Sequence, residues 1–285
     1  MKLEGRRTSS NVDDRRKISG GTAAGVGIGG LIIAVVFAWI TGGNPLEVLT
    51  GQLANVVTQN GEQRAPSASE EAVATFASQI LAGTEDVWTK EFEKMGRKYV
   101  PPKMVLFSGA VQSGCGSASS QTGPFYCSAD QTVYLDLSFF EQMKTQLGAG
   151  GDFAYAYVIA HEVGHHVQYL LGTLTKIQQQ ESRSSKKEAN QLSVRLELQA
   201  DFYAGIWAYH DNEMFNSLEA GDIEKGLNAA SAIGDDRLQM QSQGYTVPDA
   251  FNHGTSAQRV RWLKKGATTG RVADGDTFSP NYTDL

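Results

Sequence analysis

The sequence is short of cysteine and has no arrangement of it that could build a metal ribbon. Cys115 and Cys127 are the two cysteines in 285 residues, and neither belongs to a CxxC pair. A thiolate zinc site needs more soft ligands close by. Two readings remain for a loop rich in Gly, Ser and Thr: a disulfide, if the domain lies outside the cytosol, or two separate thiols. Positive charge is also in short supply. Net charge is −6; the first 19 residues hold six basic and three acidic side chains, so they carry +3 and the remainder −9. A body this acidic has no reason to seek nucleic acid. No internal repeat of roughly 20–50 residues occurs. With 41% hydrophobic and 20% charged residues, the composition is globular, and the length suits one or two domains.

Charge disappears altogether between Lys17 and Glu47. Inside that gap lies GGTAAGVGIGGLIIAVVFAWITGG, residues 20–43. A helix needs about 20 apolar residues to cross a bilayer core, and this run is long enough. Arg15, Arg16 and Lys17 flank one end and Trp39 lies near the other. The expectation is one transmembrane helix, placing residues 1–19 in the cytoplasm as a basic tail and the catalytic domain outside, periplasmic or extracellular. A cleaved signal peptide competes, but the run is long for one and no A-x-A pattern follows. Gly21, Gly25 and Gly29 share a helix face, a spacing that allows homo-oligomers through the anchor; a Gly-rich span without a partner is the bland alternative. Residues 44–69 read as a linker, with a weakly periodic start over 44–57.

The soluble domain is expected over residues 70–266, followed by a polar tail at 267–285. Helical periodicity covers 70–98, with a break at Gly83. Met104–Phe107 and Gln131–Leu137 read as strands. Ser138 opens a helix reaching Gln146, and another runs from Asp152 to Leu171 with its stop at Gly172. The polar stretch Thr173–Lys187 reads as a loop, either a lid or a disordered connection. Helices follow over 188–209 and 223–233, and a last one is capped at Thr255 or Ser256 and stopped at Gly266. The fold class is α+β, mostly helical, with a small β-sheet.

The strongest motif is His161-Glu162-Val163-Gly164-His165. Positions i and i+4 share a helix face, so both imidazoles can take one zinc ion. Glu162, one residue round, can poise water and accept its proton. A metzincin would carry Gly at 168 and His at 171; Gln168 and Leu171 exclude that class. The third ligand can come from Glu197 in the apolar segment RLELQAD, where Asp201 lies on the same face and can accept the second ring N–H of a bound histidine. His253, before the last helix, is a candidate for stabilising an oxyanion, with Arg259 as its alternative or partner. The bland reading of His253 is a loop residue that packs or caps the helix. His166 points about 100° from His165 and suits packing better than ligation. His210 is expected to be exposed, and Asp235-Asp236 reads as a solvated turn rather than a calcium site.

With HEVGHHVQ, ELQADFYAG, HGTSAQR, the basic N-terminus and the glycine-rich run in hand, the chain resembles the gluzincins, and more closely the bacterial neutral zinc metallopeptidase family. The resemblance implies a zincin-like domain with Zn2+ on His161, His165 and Glu197, Glu162 as general base and Asp201 behind the ligands. It implies hydrolysis of a peptide or protein substrate, without naming one. A zinc-binding envelope protein that cuts nothing is the alternative, although a purely structural site would not need Glu162. A membrane scaffold with an accidental motif is a third reading.

Overall fold

The structure is a computed structural model that describes residues 1–16 and 66–285. Helix α1, Ala68–Lys94, opens with a capping box in which Ser67 and Glu70 satisfy each other's backbone N–H groups. It passes Gly83 without a break. A side chain at Gly83 would collide with the Arg6 guanidinium and the Asp211 carboxylate, so this glycine makes room for the N-terminal segment.

Strands β1 (Val12–Asp14), β2 (Lys103–Phe107) and β6 (Thr132–Asp136) run parallel, and β5 (Phe125–Cys127) is antiparallel to β6, in one sheet of order β1-β2-β6-β5. A separate hairpin pairs β3 (Ala110–Ser113) with β4 (Gly116–Ser119). The Cys115–Cys127 disulfide ties this hairpin to β5. Beyond β6 come α2 (Ser138–Gln146), α3 (Asp152–Leu171), α4 (Thr173–Glu181), α5 (Lys186–Phe215), α6 (Asp222–Ala232), α7 (Asp235–Gln243) and α8 (Ser256–Thr269). The core lies between sheet and helices and is centred on α1, α3 and α5, with Trp88, Tyr157, Phe153, Phe202 and Trp207 fully buried.

Several sequence expectations change. The run 20–43 and most of the linker lie outside the described residues. Among the described residues no helix is long and apolar enough to cross a membrane. The N-terminal residues are no detached tail either. Val12 pairs with Met104 and Asp14 with Leu106 in the domain's own sheet. Arg16 Nη1 donates to the Glu70 carbonyl at 2.9 Å, at the foot of α1. A single crossing between residues 16 and 66 would separate strand β1 from the sheet that holds it. The single-pass placement, N-terminus cytoplasmic and catalytic domain across the membrane, is therefore corrected: the described residues hold no membrane-crossing helix, and the N-terminal strand belongs to the same domain as the helices.

The C-terminal residues also pack. Thr277 and Leu285 are buried, and Arg195 Nη2 donates to the Pro280 carbonyl at 2.9 Å. Thr173–Lys187 is mostly helix α4, whose Leu174 and Ile177 pack on Leu196. Ser138 caps nothing; its own N–H is held by Asp136 at 2.9 Å. Nor does Gly266 end α8, which continues to a left-handed Gly270. Gly266 faces Gly205 where α8 crosses α5, and a side chain on either would run into the other helix's backbone.

Candidate metal centre

Helix α3 brings the two histidines of the motif to one face, and α5 crosses it. The crossing is close because Gly164 has no side chain: an added Cβ would lie 3.0 Å from the Ala200 carbonyl oxygen. Gly164 therefore sets the depth at which Glu197 and Asp201 meet α3. One ligand atom from each of His161, His165 and Glu197 lies within 4.8 Å of the others, a group that could hold a metal ion. His161 Nε2 is 3.2 Å from Glu197 Oε2 and His165 Nε2 is 3.4 Å from Glu197 Oε1.

The donor set suits zinc on the chemistry of its own hydrogen bonds. His161 Nδ1 faces Asp201 Oδ1 at 2.8 Å, and His165 Nδ1 faces Gln168 Oε1 at 2.9 Å. Each acceptor holds the ring N–H on Nδ1, which leaves the Nε2 lone pair for a cation. Gln168 is in turn fixed by donating to the Leu196 carbonyl at 2.7 Å. Two neutral imidazoles and a carboxylate are a donor set that could hold a zinc ion.

Asp201 is fully buried and saturated. Tyr157 donates to its Oδ1 at 2.6 Å, and Arg259 donates from Nε to Oδ2 at 2.9 Å and from Nη2 to Oδ1 at 3.0 Å. Burial would raise the Asp201 carboxyl, but Arg259 and His161 outweigh it and hold it below the ordinary range. Burial likewise opposes a charged His161, yet Asp201 and Glu197 prevail and lift it to about 10. This pocket therefore demands positive charge between its carboxylates. With both imidazoles neutral, Arg259 offsets one of Glu162, Glu197 and Asp201, leaving two negative charges, the charge of one zinc ion.

Glu162 borders the same cleft, largely buried, with no hydrogen-bond partner among the described residues. The cleft holds about 510 Å³ and is bounded by α3, α4, α5 and the segment leading into β5. His253 stands at its side, half-exposed. Its Nδ1 is 3.1 Å from Asp235 Oδ1, while Asp235 Oδ2 accepts the backbone N–H groups of Asn252, His253 and Gly254 at 2.7–3.0 Å. Asp235 is thus no solvated turn: it is buried at the start of α7 and shapes the His253 loop.

The structure therefore brings His161, Glu162, His165, Glu197 and His253 to one cleft, with Asp201 behind them. Arg259 also borders the cleft, but its side chain is 3% exposed and committed to Asp201 and Tyr157. His166 packs, as expected. Tyr126 bonds its Nδ1 at 2.9 Å, its Nε2 donates to the Val100 carbonyl at 2.7 Å, and burial lowers its pKa to about 4. His210 is not exposed but sits between Glu213 and the Gly270 carbonyl. Sequence reasoning missed Tyr157 and Asp235. Tyr157 precedes His161 by four residues, a helical spacing that could have found it; Asp235 carries no such signal.

The family model described as "Putative neutral zinc metallopeptidase" matches residues 1–278. The chain is 52% identical over 287 residues to "Uncharacterized protein YpfJ" of Escherichia coli, covering 98% of this chain and 99% of that one. It is 48% identical over 191 residues to "Uncharacterized protein Rv2575" of Mycobacterium tuberculosis, covering 64% of each. No solved structure matches it.

Proposed function

Because the chain belongs to this neutral zinc metallopeptidase family over residues 1–278, we propose that it is a zinc-dependent peptidase that hydrolyses peptide bonds. The observation that carries the reading is the convergence of His161, His165 and Glu197 within 4.8 Å beside Glu162, which has no hydrogen-bond partner among the described residues, on a cleft open enough for a peptide. Bound zinc supplies a Lewis acid that acidifies water and polarises a carbonyl oxygen. Glu162 removes the proton of the attacking water and delivers it to the leaving amine. Asp201 and Gln168 keep the two imidazoles in the tautomer and orientation that ligation needs. His253, held at Nδ1 by Asp235, uses Nε2 to stabilise the negative charge that develops on the substrate oxygen.

An extended peptide can add only to a strand with an unpaired edge. Strand β6 is interior, paired with β2 on one side and β5 on the other. Strand β5 is an edge strand of the sheet among the described residues, and its Phe125 and Tyr126 line the cleft. Substrate is therefore assigned to β5, by strand addition.

Two measurements on the full chain test the reading. Metal analysis should find about one zinc per chain in the native protein and much less in Glu197→Ala. A peptide library digested by the native protein should stay intact with Glu162→Gln. Equal zinc in the Glu197→Ala protein moves the third ligand elsewhere, and full hydrolysis by Glu162→Gln removes the general base.

A further inference from the structure

One wall of the cleft takes no part in the metal centre. Leu174, Gln178 and Glu181 line it from a single face of α4, four and three residues apart. Leu174 and Ile177 seat that helix on Leu196, the neighbour of Glu197. Glu181 thus stands on a fixed support, and its surroundings are adverse in three respects. It is the last residue of α4, where the negative end of the helix repels a carboxylate. Burial, and then the charge of Glu197, push its carboxyl above the ordinary range. No described residue gives that carboxylate a hydrogen bond or a salt bridge, and Lys186 attracts it only from beyond salt-bridge distance.

The other charges on the cleft are accounted for. Arg259 is matched by Asp201, and His253 by Asp235. A dication among His161, His165 and Glu197 would balance Glu197 and Glu162. Glu181 is then the uncompensated carboxylate among the described residues of the cleft. A half-buried anion facing a binding space, with no cation of its own chain within salt-bridge distance among the described residues, is suited to receive one from a ligand.

We propose that Glu181 determines specificity by receiving a cationic amine of the peptide substrate beside the bond that is cut. The amine is a lysine or arginine side chain or the α-ammonium group. This rests on the peptidase reading above and extends it to a substrate class. Glu181 touches no reacting atom; its effect is on which peptide is held.

The test uses the zinc-loaded full chain and peptides that differ at one position, with lysine, norleucine or glutamate, each with a free or an acetylated N-terminus. The native protein should favour lysine over norleucine in kcat/KM, and Glu181→Gln should reduce that ratio about tenfold. Glu181→Lys should turn the preference toward glutamate, an inversion that mere damage to α4 would not produce. If acetylation instead lowers kcat/KM in the native protein but not in Glu181→Gln, the α-ammonium is the group recognised; if the lysine preference alone follows Glu181, the side chain is. Lysine-to-norleucine and free-to-acetylated ratios that are both identical in all three proteins would overturn the proposal. Binding of the same peptides to Glu162→Gln, followed by fluorescence anisotropy, separates the two readings. Charge-dependent binding that follows Glu181, without hydrolysis by the native protein, sinks the peptidase reading and leaves Glu181 its role. Hydrolysis with an unmoved preference does the reverse. Neither hydrolysis nor charge-dependent binding defeats both.

Discussion

Two groups of buried carboxylates tie distant parts of this chain together, and they are balanced in different ways. Around the N-terminal strand every carboxylate finds a partner on the chain. Arg6 donates to Asp211 at 2.7 Å, and Glu85 accepts from Arg7 at 2.9 Å, Ser9 at 2.5 Å and Asn11 at 2.7 Å. Around the candidate metal centre Asp201 is equally well served, but among the described residues Glu197 pairs with two imidazoles and Glu162 accepts no hydrogen bond. Burying an unmatched charge is costly, so a fold tolerates it only where something else supplies the balance. The first group is what a structural cluster looks like; the second could hold a metal ion between its ligand atoms.

That division makes the two groups separately breakable. The largest effect is expected at Glu162. In Glu162→Gln, kcat should fall about 10³-fold, roughly 4 kcal/mol of barrier, while zinc content and melting temperature hold. Loss of zinc along with activity would instead place Glu162 among the ligands. On the structural side, Arg6→Ala leaves Asp211 buried and unpaired and removes a guanidinium stacked 3.8 Å over Phe215. Urea unfolding should show a loss of about 3 kcal/mol, with zinc content unchanged. Should zinc leave with Arg6, the two groups are one network and the comparison fails.

Asp201→Asn tests the boundary between them, because Asp201 is saturated like a structural carboxylate yet touches His161. Chelator competition should report zinc held about 10- to 100-fold more weakly. An unchanged affinity would move Asp201 to the structural side. Smallest is Ser9→Ala, which deletes one donor to Glu85. It should cost about 1 kcal/mol of stability and nothing in zinc affinity. A measurable shift in zinc binding would again blur the line.

The parts of the site that were legible in advance are those spaced along a single helix. His161 and His165 are four apart, as are Glu197 and Asp201, and each pair shares a face by helix geometry alone. The helix boundaries around them were legible for the same reason: Gly172 closes α3 in a left-handed conformation, as a glycine at that point leads one to expect. Other features were misread because the deciding contact is remote in sequence. Gly266 resembles a stop signal, yet it is a packing point for Gly205, 61 positions earlier. The segment 173–187 is polar along most of its length, and only Leu174 and Ile177 report that it lies on Leu196. Six basic residues in the first 19 suggested a cytoplasmic tail, but Arg6, Arg7 and Arg16 turn out to be partners for carboxylates of α1 and α5.

By itself, then, the sequence determined which side chains stand together on each ligand-bearing helix, because 3.6 residues per turn is a property of any helix and needs no partner. Tertiary structure alone decided that those two helices cross at Gly164, that Asp235 rather than a neighbour of His253 orients that ring, that β5 rather than β6 offers its edge to the cleft, and that the N-terminal strand joins the domain's sheet. Each of these depends on packing between elements far apart in the chain, where the partner is selected by shape and charge in three dimensions and leaves no periodic trace in the residues on either side.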